Sequence, residues 1–232
     1  MYKYFFKRFF DIILSGLALI LLSPVYLIIF ILSAIILKGN PIFKQYRPGK
    51  NNKIFALYKF RSMTNKKDEN GNLLPDEQRL TKWGKFLRKT SLDELPQIWN
   101  IFIGNMSIIG PRPKLVKDMV FFTDEQNERS KVRPGLTGLA QVNGRNESSW
   151  DETFEYDKKY VNTKNRFALD FKIFFKTIKL LFKREKVEER GQANHKFYYY
   201  CDYLLAKGKI TKKEYDAGLK KAEEIINSNK KK

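Results

Sequence analysis

The sequence predicts an α+β protein that is mostly helical, and three observations support this prediction. Residues 12–37 form a long apolar run, residues 170–184 repeat phenylalanine at helical spacing, and residues 47–52 form a turn signal between two short strand-like stretches. We therefore expect an N-terminal helical hairpin that re-enters a membrane, surface amphipathic helices and a small β-hairpin, arranged around one compact cytoplasmic domain.

The chain is strongly basic. Its 232 residues include 45 Lys and Arg against 25 Asp and Glu, a formal net charge of +20. This excess predicts polyanionic partners: nucleic acid, an anionic membrane surface or phosphorylated substrates. The aromatic fraction of 15% suits a membrane interface as well as a nucleic-acid groove. A single cysteine, Cys201, excludes an intrachain disulfide and a Cys-based zinc cluster, and a single histidine, His195, argues against a His-based triad or a multi-His metal site.

The apolar run at residues 12–37 is long enough to cross a bilayer, since about 26 helical residues extend ~39 Å against a hydrocarbon core of ~30 Å. It is too long for the core of a signal peptide, and no small-residue cleavage site follows it. Ser23 and Pro24 lie near its middle, and proline bends or breaks a helix because it has no N–H. Each half is then too short to span.

Lysine and arginine residues flank this run on both sides. The positive-inside bias places both flanks in the cytoplasm, which a hairpin in one leaflet satisfies. Ser23 is expected to compensate part of the backbone that Pro24 leaves unpaired. The sequence favours this re-entrant hairpin, with a kinked spanning helix as the alternative.

A small β-hairpin is predicted next. Apolar stretches at residues 42–43 and 54–58 flank the turn at residues 47–52. Lys59 and Arg61 follow and share one face if the strand continues. The alternative is a basic edge strand that faces solvent.

The middle of the chain alternates between polar and apolar segments. Residues 65–78 predict a surface loop and residues 80–89 a short basic helix. Residues 98–109 are apolar and aromatic, which suits either a core segment or a membrane interface. Residues 115–131 predict a polar, fairly acidic helix.

Residues 133–145 are dense in glycine and basic at both ends, so we expect a loop. Such loops let backbone amides approach phosphate oxygens closely. The pattern matches neither the Walker motif nor the dinucleotide fingerprint, so its signal is weak alone. A helix is predicted to resume over residues 150–160.

Residues 170–184 predict a basic amphipathic helix. One face is apolar and another carries lysines at the same steps of three and four. These faces contain Phe171, Phe174, Phe175, Ile178 and Phe182, and Lys172, Lys176, Lys179 and Lys183. Such a helix lies on an anionic membrane or packs its apolar face into a core. The N-terminal run favours the membrane.

After residue 191 the pattern changes to a helix, a turn at Gly208 and a second helix. Thr211 and Glu214 have the spacing of a capping box at the start of that second helix.

Asp93 and Glu94 place two adjacent carboxylates in basic surroundings. Ser91 and Glu94 have the spacing of a capping box, and a helix that starts at Pro96 is the alternative. Either arrangement places the carboxylates near a helix N-terminus, where the dipole favours their ionised forms. A nucleophile or a Mg²⁺ ligand needs that form. Spacing alone favours a capping role for the carboxylates over a catalytic or metal-binding role.

Four motifs, in this order, resemble the bacterial sugar transferase family. They are KFRSM at residues 59–63, DELPQ at 93–97, GPRP at 110–113 and the glycine-dense stretch at 133–145. The family consists of small monotopic polyprenol-phosphate phosphoglycosyl transferases, and the resemblance extends to about residue 192. It is strongest to the enzymes that initiate bacterial N-linked protein glycosylation.

The resemblance implies a reaction in which a sugar-1-phosphate moves from a UDP-sugar to undecaprenyl phosphate, with release of UMP. Asp93 would be the nucleophile and form a covalent phosphosugar intermediate. Glu94 would assist, and both carboxylates would bind Mg²⁺. Such transfer between anions requires charge neutralisation, which Mg²⁺ and clamping cations supply.

The resemblance also implies further binding residues. Arg112 matches the family's phosphate-binding arginine, Lys59 and Arg88 are further clamps, and Arg145 is assigned to the nucleotide. Ser23 and Pro24 match the family's break in the re-entrant hairpin.

The expected organisation is a membrane helix at residues 1–38, a catalytic domain at 39–192 and a helical extension at 193–232. The enzyme is expected at the bacterial inner membrane with its catalytic domain in the cytoplasm, and without nucleic acid as a partner. The extension leaves open a homo-oligomer or binding to glycosyltransferases of the same pathway. The competing hypothesis is a membrane-anchored nucleic-acid-binding or scaffold protein without catalysis.

Overall fold

A computed structural model describes residues 2, 5–144, 149–182 and 199–230. The fold is mostly helical with small sheets, as predicted. The helices are α1 (Phe6–Leu21), α2 (Ser23–Leu37), α3 (Asp76–Arg79), α4 (Lys82–Lys89), α5 (Gln97–Phe102), α6 (Val116–Met119), α7 (Asp124–Asn127), α8 (Leu139–Asn143), α9 (Trp150–Asn162), α10 (Arg166–Phe182), α11 (Tyr200–Ala206) and α12 (Lys212–Lys230). The strands are β1 (Ile42–Pro48), β2 (Ile54–Phe60), β3 (Ser107–Ile109) and β4 (Gly135–Thr137). Short 3₁₀ helices lie at Lys50–Asn52, Leu92–Glu94 and Glu128–Lys131.

The chain divides into two compact units. The hairpin unit contains Ile12–Gln45 and Leu57–Ile103, and the C-terminal unit contains Met1–Asp11, Tyr46–Ala56 and Gly104–Lys232. The domain boundaries expected at residues 38 and 192 stay predictions.

The apolar run forms two helices that meet at Leu22 with a bend of 62°. Pro24 lies in the first turn of α2 and has no N–H to offer the carbonyl of Ile20, four residues earlier. The Ser23 hydroxyl donates to that carbonyl at 2.8 Å. The predicted break and the predicted compensation by Ser23 are therefore confirmed.

Much of the apolar surface of α1 and α2 is exposed. Ile20 is 71% exposed, Leu21 74% and Ile35 67%. No single helix of the described residues combines the length and apolarity that crossing a membrane requires; α1 and α2 meet that test only as a bent pair.

The core of the hairpin unit packs α2 and α4 against β2. Ile29, Phe60 and Leu87 form its buried centre. Trp83 Nε1 donates to the buried Ser33 hydroxyl at 2.9 Å. A Cβ at Gly84 would lie only 1.8 Å from the carbonyl oxygen of Ser62, so α4 can approach the end of β2 this closely only with glycine.

The predicted β-hairpin is confirmed, because β1 and β2 pair in a two-stranded sheet. The short basic helix appears as α4. The apolar stretch at residues 98–109 becomes α5, a turn at Gly104 and the strand β3. Trp99 and Phe102 stack and are 48% and 37% exposed, so the interpretation of α5 as an interfacial segment stays a prediction.

In the C-terminal unit, β3 and β4 pair in parallel, with Ser107 opposite Gly135 and Ile109 opposite Thr137. The glycine-dense stretch was expected to be a loop, but it forms β4 and α8. The reason is close backbone packing: a Cβ at Gly135 would lie 2.1 Å from the nitrogen of Gly110, and one at Gly138 would lie 2.1 Å from its oxygen. These glycines thus allow the backbone to pack against the start of the GPRP motif.

The continuous helix expected over residues 115–131 is wrong. The chain forms α6, α7 and a 3₁₀ helix there. Thr123 starts α7 with a capping box to Gln126, which interrupts any longer helix. Asp118 accepts backbone N–H groups from a distant segment, at Tyr200 and Cys201.

Helix α10 confirms the predicted amphipathic helix and shows which face is packed. Ile173 is buried in a core cluster with Ile109, Val142 and Tyr160. Three phenylalanines of the predicted apolar face, at positions 171, 174 and 175, do not join this core. Phe171 is 58% exposed, Phe174 40% and Phe175 52%.

Helices α11 and α12 confirm the predicted C-terminal helix pair. The Thr211–Glu214 capping box is present: Glu214 N–H donates to Thr211 Oγ1 at 3.2 Å, and Thr211 N–H donates to Glu214 Oε2 at 2.7 Å. The described part of the pair packs on the segment that contains α6.

Candidate active site

The two carboxylates lie in the 3₁₀ helix Leu92–Glu94 of the hairpin unit, just before α5. Asp93 is 4% exposed and Glu94 is 9% exposed. Buried carboxylates are costly unless cations or hydrogen-bond donors compensate them, so their presence together calls for a specific reason.

The capping-box interpretation of Ser91 and Glu94 is wrong. Ser91 has φ +57° in the left-handed region, and its side chain makes no cap hydrogen bond. Capping serines take up extended backbone instead, from which the hydroxyl reaches the first turn. The alternative start is correct, because α5 begins directly after Pro96.

Glu94 binds Lys59. The Lys59 ammonium donates to Glu94 Oε1 at 2.9 Å, and the side chains are 15% and 10% exposed. Lys59 therefore does not form a solvated basic edge. Its charge offsets one carboxylate of the pair, which lowers the local excess of negative charge that an incoming phosphate would meet.

The other polar residues of the KFRSM motif have structural partners. Arg61 donates to the carbonyl of Leu37 at 2.7 Å and so satisfies the C-terminal end of α2. Arg88 Nε donates to the Ser62 hydroxyl at 2.9 Å. The motif thus connects α2, the carboxylate segment and α4 within the hairpin unit.

Asn100 is a site-supporting residue that sequence reasoning missed. It is fully buried in α5, and its Oδ1 accepts the N–H of Tyr58 at 3.1 Å. The contact fixes α5, which follows the carboxylates, to the strand that carries Lys59. A polar asparagine within the apolar stretch that follows the DELPQ motif was the available signal.

Arg112 lies in the C-terminal unit, half-buried, in the segment after β3. Its carbonyl accepts a hydrogen bond from Arg129 Nη2 at 2.7 Å, and Arg129 Nε donates to Asp157 Oδ2 at 2.9 Å. This buried ion pair fixes the backbone of the arginine loop, which we define as residues 110–114. A small cavity beside it is lined by Pro48, Gly49, Asn52, Pro111, Arg112, Pro113, Phe122, Arg129, Ser130, Val132 and Pro134.

Lys114 at the end of the arginine loop was also missed. Its ammonium lies 4.1 Å from the centre of the Trp150 ring. Burial lowers the pKa of Lys114 to about 7, and the positive charge of Arg129 contributes in the same direction. Lys114 and Lys117 follow the GPRP motif in the sequence, but the burial of the Lys114 ammonium is visible only in the structure.

The structure therefore brings part of the predicted site together. Lys59, Arg88, Asp93 and Glu94 all belong to the hairpin unit, where Lys59 contacts Glu94 directly. Arg112 belongs to the C-terminal unit. The predicted nucleotide residue Arg145 lies outside the described residues.

The donor set suits magnesium. Among the described residues there is no cluster of three or more His, Cys, Asp or Glu side chains that would make an all-protein metal site. Mg²⁺ is usually bound by one or two carboxylates together with water and substrate phosphates, so Asp93 and Glu94 provide an appropriate pair of hard oxygen donors. Buried carboxylates kept next to cations are typical of enzymes that transfer phosphoryl groups.

Comparison with known proteins identifies the family. The profile described as "Bacterial sugar transferase" matches residues 2–184, and the chain belongs to this family. The match covers all four motifs and ends before α11. The predicted family and enzyme class, a phosphoglycosyl transferase that uses a polyprenyl phosphate, are confirmed at the level of the family.

Three relatives illustrate the similarity. "Uncharacterized sugar transferase EpsL" of Bacillus subtilis is 46% identical over 191 residues, which cover 82% of this chain and 92% of the relative. "UDP-glucose:undecaprenyl-phosphate glucose-1-phosphate transferase" of Klebsiella pneumoniae is 43% identical over 188 residues, 75% of this chain and 39% of the relative. "Undecaprenyl-phosphate galactose phosphotransferase" of Salmonella typhimurium is 37% identical over 199 residues, 78% of this chain and 41% of the relative. The chain thus spans nearly all of EpsL but well under half of the other two.

Proposed function

We propose that this protein transfers a sugar-1-phosphate from a UDP-sugar to undecaprenyl phosphate and releases UMP, through a covalent phosphosugar intermediate on Asp93. The Klebsiella and Salmonella relatives, both named as transferases that act on undecaprenyl phosphate, support the acceptor and the type of transfer. The observation that carries the assignment within this chain is the buried pair Asp93–Glu94 with Lys59 bound to Glu94. Family membership favours this function over the nucleic-acid-binding and scaffold alternatives.

The first step forms a bond between a carboxylate oxygen of Asp93 and the β-phosphorus of the UDP-sugar. The bond from that phosphorus to the bridging oxygen breaks, and UMP leaves with the electron pair. In the second step a phosphate oxygen of undecaprenyl phosphate attacks the same phosphorus. The Asp93 carboxylate is released, and the product is an undecaprenyl diphosphate sugar.

Glu94 and Lys59 prepare the site for these anionic reactants. Lys59 offsets the charge of Glu94, so the diphosphate approaches a less repulsive segment. Asp93 and Glu94 would hold Mg²⁺, which supplies neutralisation of the diphosphate charge when bound. Arg88 and Arg112 are assigned to phosphate groups and Arg145 to the nucleotide, since guanidinium groups bind phosphate in a bidentate manner.

We further propose that α1 and α2 form a re-entrant hairpin in the bacterial inner membrane, with the remaining chain on the cytoplasmic side. The 62° bend and the hydrogen bond from Ser23 to Ile20 support this, because unpaired backbone groups are costly in lipid. The exposed phenylalanines of α10 suit the membrane surface. A lipid acceptor could then keep its chain in the bilayer while its phosphate reaches Asp93.

The reaction and its sugar donor can be tested with a panel of substrates. A panel of UDP-sugars, each incubated with the protein, undecaprenyl phosphate and Mg²⁺ in nanodiscs, tests the reaction through release of UMP. Release with at least one sugar, dependent on the acceptor, is expected. Absence of UMP release across the panel, with a folded protein, would contradict the proposed function. Participation in protein glycosylation and the oligomeric state stay predictions.

A further inference from the structure

The C-terminal helix pair docks on the segment that follows the arginine loop, although it lies beyond the part of the chain that the family profile matches. Asp118 in α6 is 2% exposed. Its Oδ1 accepts the backbone N–H of Tyr200 at 2.9 Å and that of Cys201 at 3.3 Å. The first N–H groups of a helix have no partner within it, so Asp118 supplies the N-terminal cap of α11 from a distant element.

Tyr200 fills an aromatic socket. Its ring centre lies 5.2 Å from those of Trp150 and Phe154 and 5.7 Å from that of Phe122. Its hydroxyl accepts a hydrogen bond from Gln126 Nε2 at 2.8 Å. The residue is 4% exposed, so this is a packed core rather than a loose surface contact.

Helix α12 fits the same segment closely. A Cβ at Gly218 would lie 2.1 Å from Phe121 Cζ, and Ala222 is 2% exposed. The Tyr215 ring stacks on Phe121 with centres 6.5 Å apart. Two small residues therefore allow the helix to approach α6 and the residues after it.

Trp150 connects this socket to the arginine loop, because its ring contacts both Tyr200 and the ammonium of Lys114. The charged groups that face Lys114 are Arg112 in its own loop, Arg129 in the 3₁₀ helix, Asp118 in α6 and Asp157 in α9. Both carboxylates have other roles. Asp157 pairs with Arg129, and Asp118 caps α11.

We propose that Lys114 binds a substrate phosphate group beside Arg112, and that the docked helix pair keeps Lys114 in place through Trp150 and Asp118. The inference rests on the proposed function. Both carboxylates that face Lys114 are engaged elsewhere, so a phosphate group is a suitable counter-ion for its ammonium. Tyr200 acts as a positioning residue, since it reaches the loop only through Trp150.

The test compares Lys114→Met and Lys114→Arg with Lys220→Met, which removes a lysine from the exposed side of α12. We expect Lys114→Met to raise one KM about tenfold with kcat changed less than about twofold, the pattern of lost binding to both ground and transition states. Lys114→Arg should keep that KM close to the wild-type value, because the guanidinium retains the positive charge. A change in the KM of the UDP-sugar assigns Lys114 to the donor, and a change in that of undecaprenyl phosphate assigns it to the acceptor. Equal KM values of Lys114→Met and Lys220→Met, for the UDP-sugar and for undecaprenyl phosphate, would overturn the proposal.

The pH profile distinguishes binding from a merely structural role. Since the pKa of Lys114 is about 7, its ammonium is present below that pH and is lost above it. The wild-type kcat/KM should therefore fall as pH rises through 7 by more than that of Lys114→Arg, which stays charged. Superimposable pH profiles of the wild type and Lys114→Arg would contradict the binding of phosphate by Lys114.

Variants of Tyr200 test whether the docked helix pair positions Lys114. Tyr200→Ala should raise the same KM as Lys114→Met, while Tyr200→Phe keeps the aromatic filling and should stay close to wild type. Binding of UDP and of undecaprenyl phosphate to nanodisc-embedded protein, measured by titration calorimetry, does not require turnover. It therefore tests Lys114 separately from the proposed reaction: unchanged affinity of Lys114→Met for both ligands would overturn the inference, whereas failure of the wild type to release UMP would overturn the proposed function.

Discussion

The ammonium of Lys59 lies 2.9 Å from Oε1 of Glu94, in a segment where both side chains are nearly buried. The ion pair joins β2 to the carboxylate segment of the hairpin unit. It also means that a lysine predicted to clamp phosphate is bound to a predicted catalytic carboxylate before substrate arrives. A phosphate that recruits Lys59 would release Glu94 for another partner, such as a metal ion.

Replacing Lys59 by methionine should destabilise the protein by about 3 kcal/mol, because it removes a cationic partner from the buried Glu94 carboxylate. Thermal unfolding of the detergent-solubilised protein, followed by circular dichroism, measures the effect. The double variant Lys59→Met/Glu94→Gln should recover much of the stability without recovering activity. A single variant that melts at the wild-type temperature would contradict the role of this pair.

The hairpin at Ser23 and Pro24 is testable through topology. Cysteines introduced at residues 2 and 40, in a Cys201→Ser background, should both react with a membrane-impermeant reagent only from the cytoplasmic side. Replacing Ser23 and Pro24 together by alanine restores an N–H for the Ile20 carbonyl and should straighten the helix. Residue 2 should then become accessible from the periplasm in part of the molecules. Labelling of residues 2 and 40 from opposite sides in the protein with Ser23 and Pro24 intact would establish the spanning alternative instead.

Helix α10 should lie with its phenylalanine face in the membrane. A polarity-sensitive dye on a cysteine at residue 175 should shift its emission to the blue when the full chain is placed in nanodiscs. The same dye at residue 172, an exposed lysine position on the same helix, is the matched control and should shift less. Equal emission at both positions would show that the phenylalanines do not enter the bilayer.

The close packing of Gly135 on Gly110 predicts a severe effect of added volume. Gly135→Ala places a methyl group 2.1 Å from the nitrogen of Gly110, so the backbone at the GPRP motif must move. A loss of stability of about 2 kcal/mol or more is expected, together with reduced UMP release. Gly16→Ala, where a Cβ would lie at an ordinary contact distance of 3.4 Å from the Phe102 ring, is the control for a glycine replaced without a clash. Equal melting temperatures of the two variants would contradict this account.

Local signals were sufficient where a single residue determines the backbone. Pro24 predicts the helix break because it lacks an N–H, and Thr211 with Glu214 predicts the start of α12 because the capping box is a local motif. Phenylalanine periodicity identified α10, although only the structure shows that Ile173 enters the core while Phe171, Phe174 and Phe175 stay exposed.

Predictions failed where distant residues decide the structure. Ser91 has the spacing of a cap, but its backbone is left-handed and the Glu94 carboxylate accepts a hydrogen bond from Lys59 instead. The glycines of the 133–145 stretch looked like a phosphate loop, whereas Gly135 and Gly138 pack against Gly110. Spacing along the chain could not reveal these partners.

Trapping of the covalent intermediate shows whether Asp93 is the nucleophile. The protein is incubated with a radiolabelled UDP-sugar that supports UMP release, without undecaprenyl phosphate, and protein-bound label is located by peptide mass spectrometry. We expect the label on Asp93, as an acyl phosphate that hydroxylamine removes, with one UMP released for each label. Asp93→Asn should lose both the label and the release of UMP. Retention of the label by folded Asp93→Asn, or its location on another residue, would contradict the assignment of Asp93 as the nucleophile.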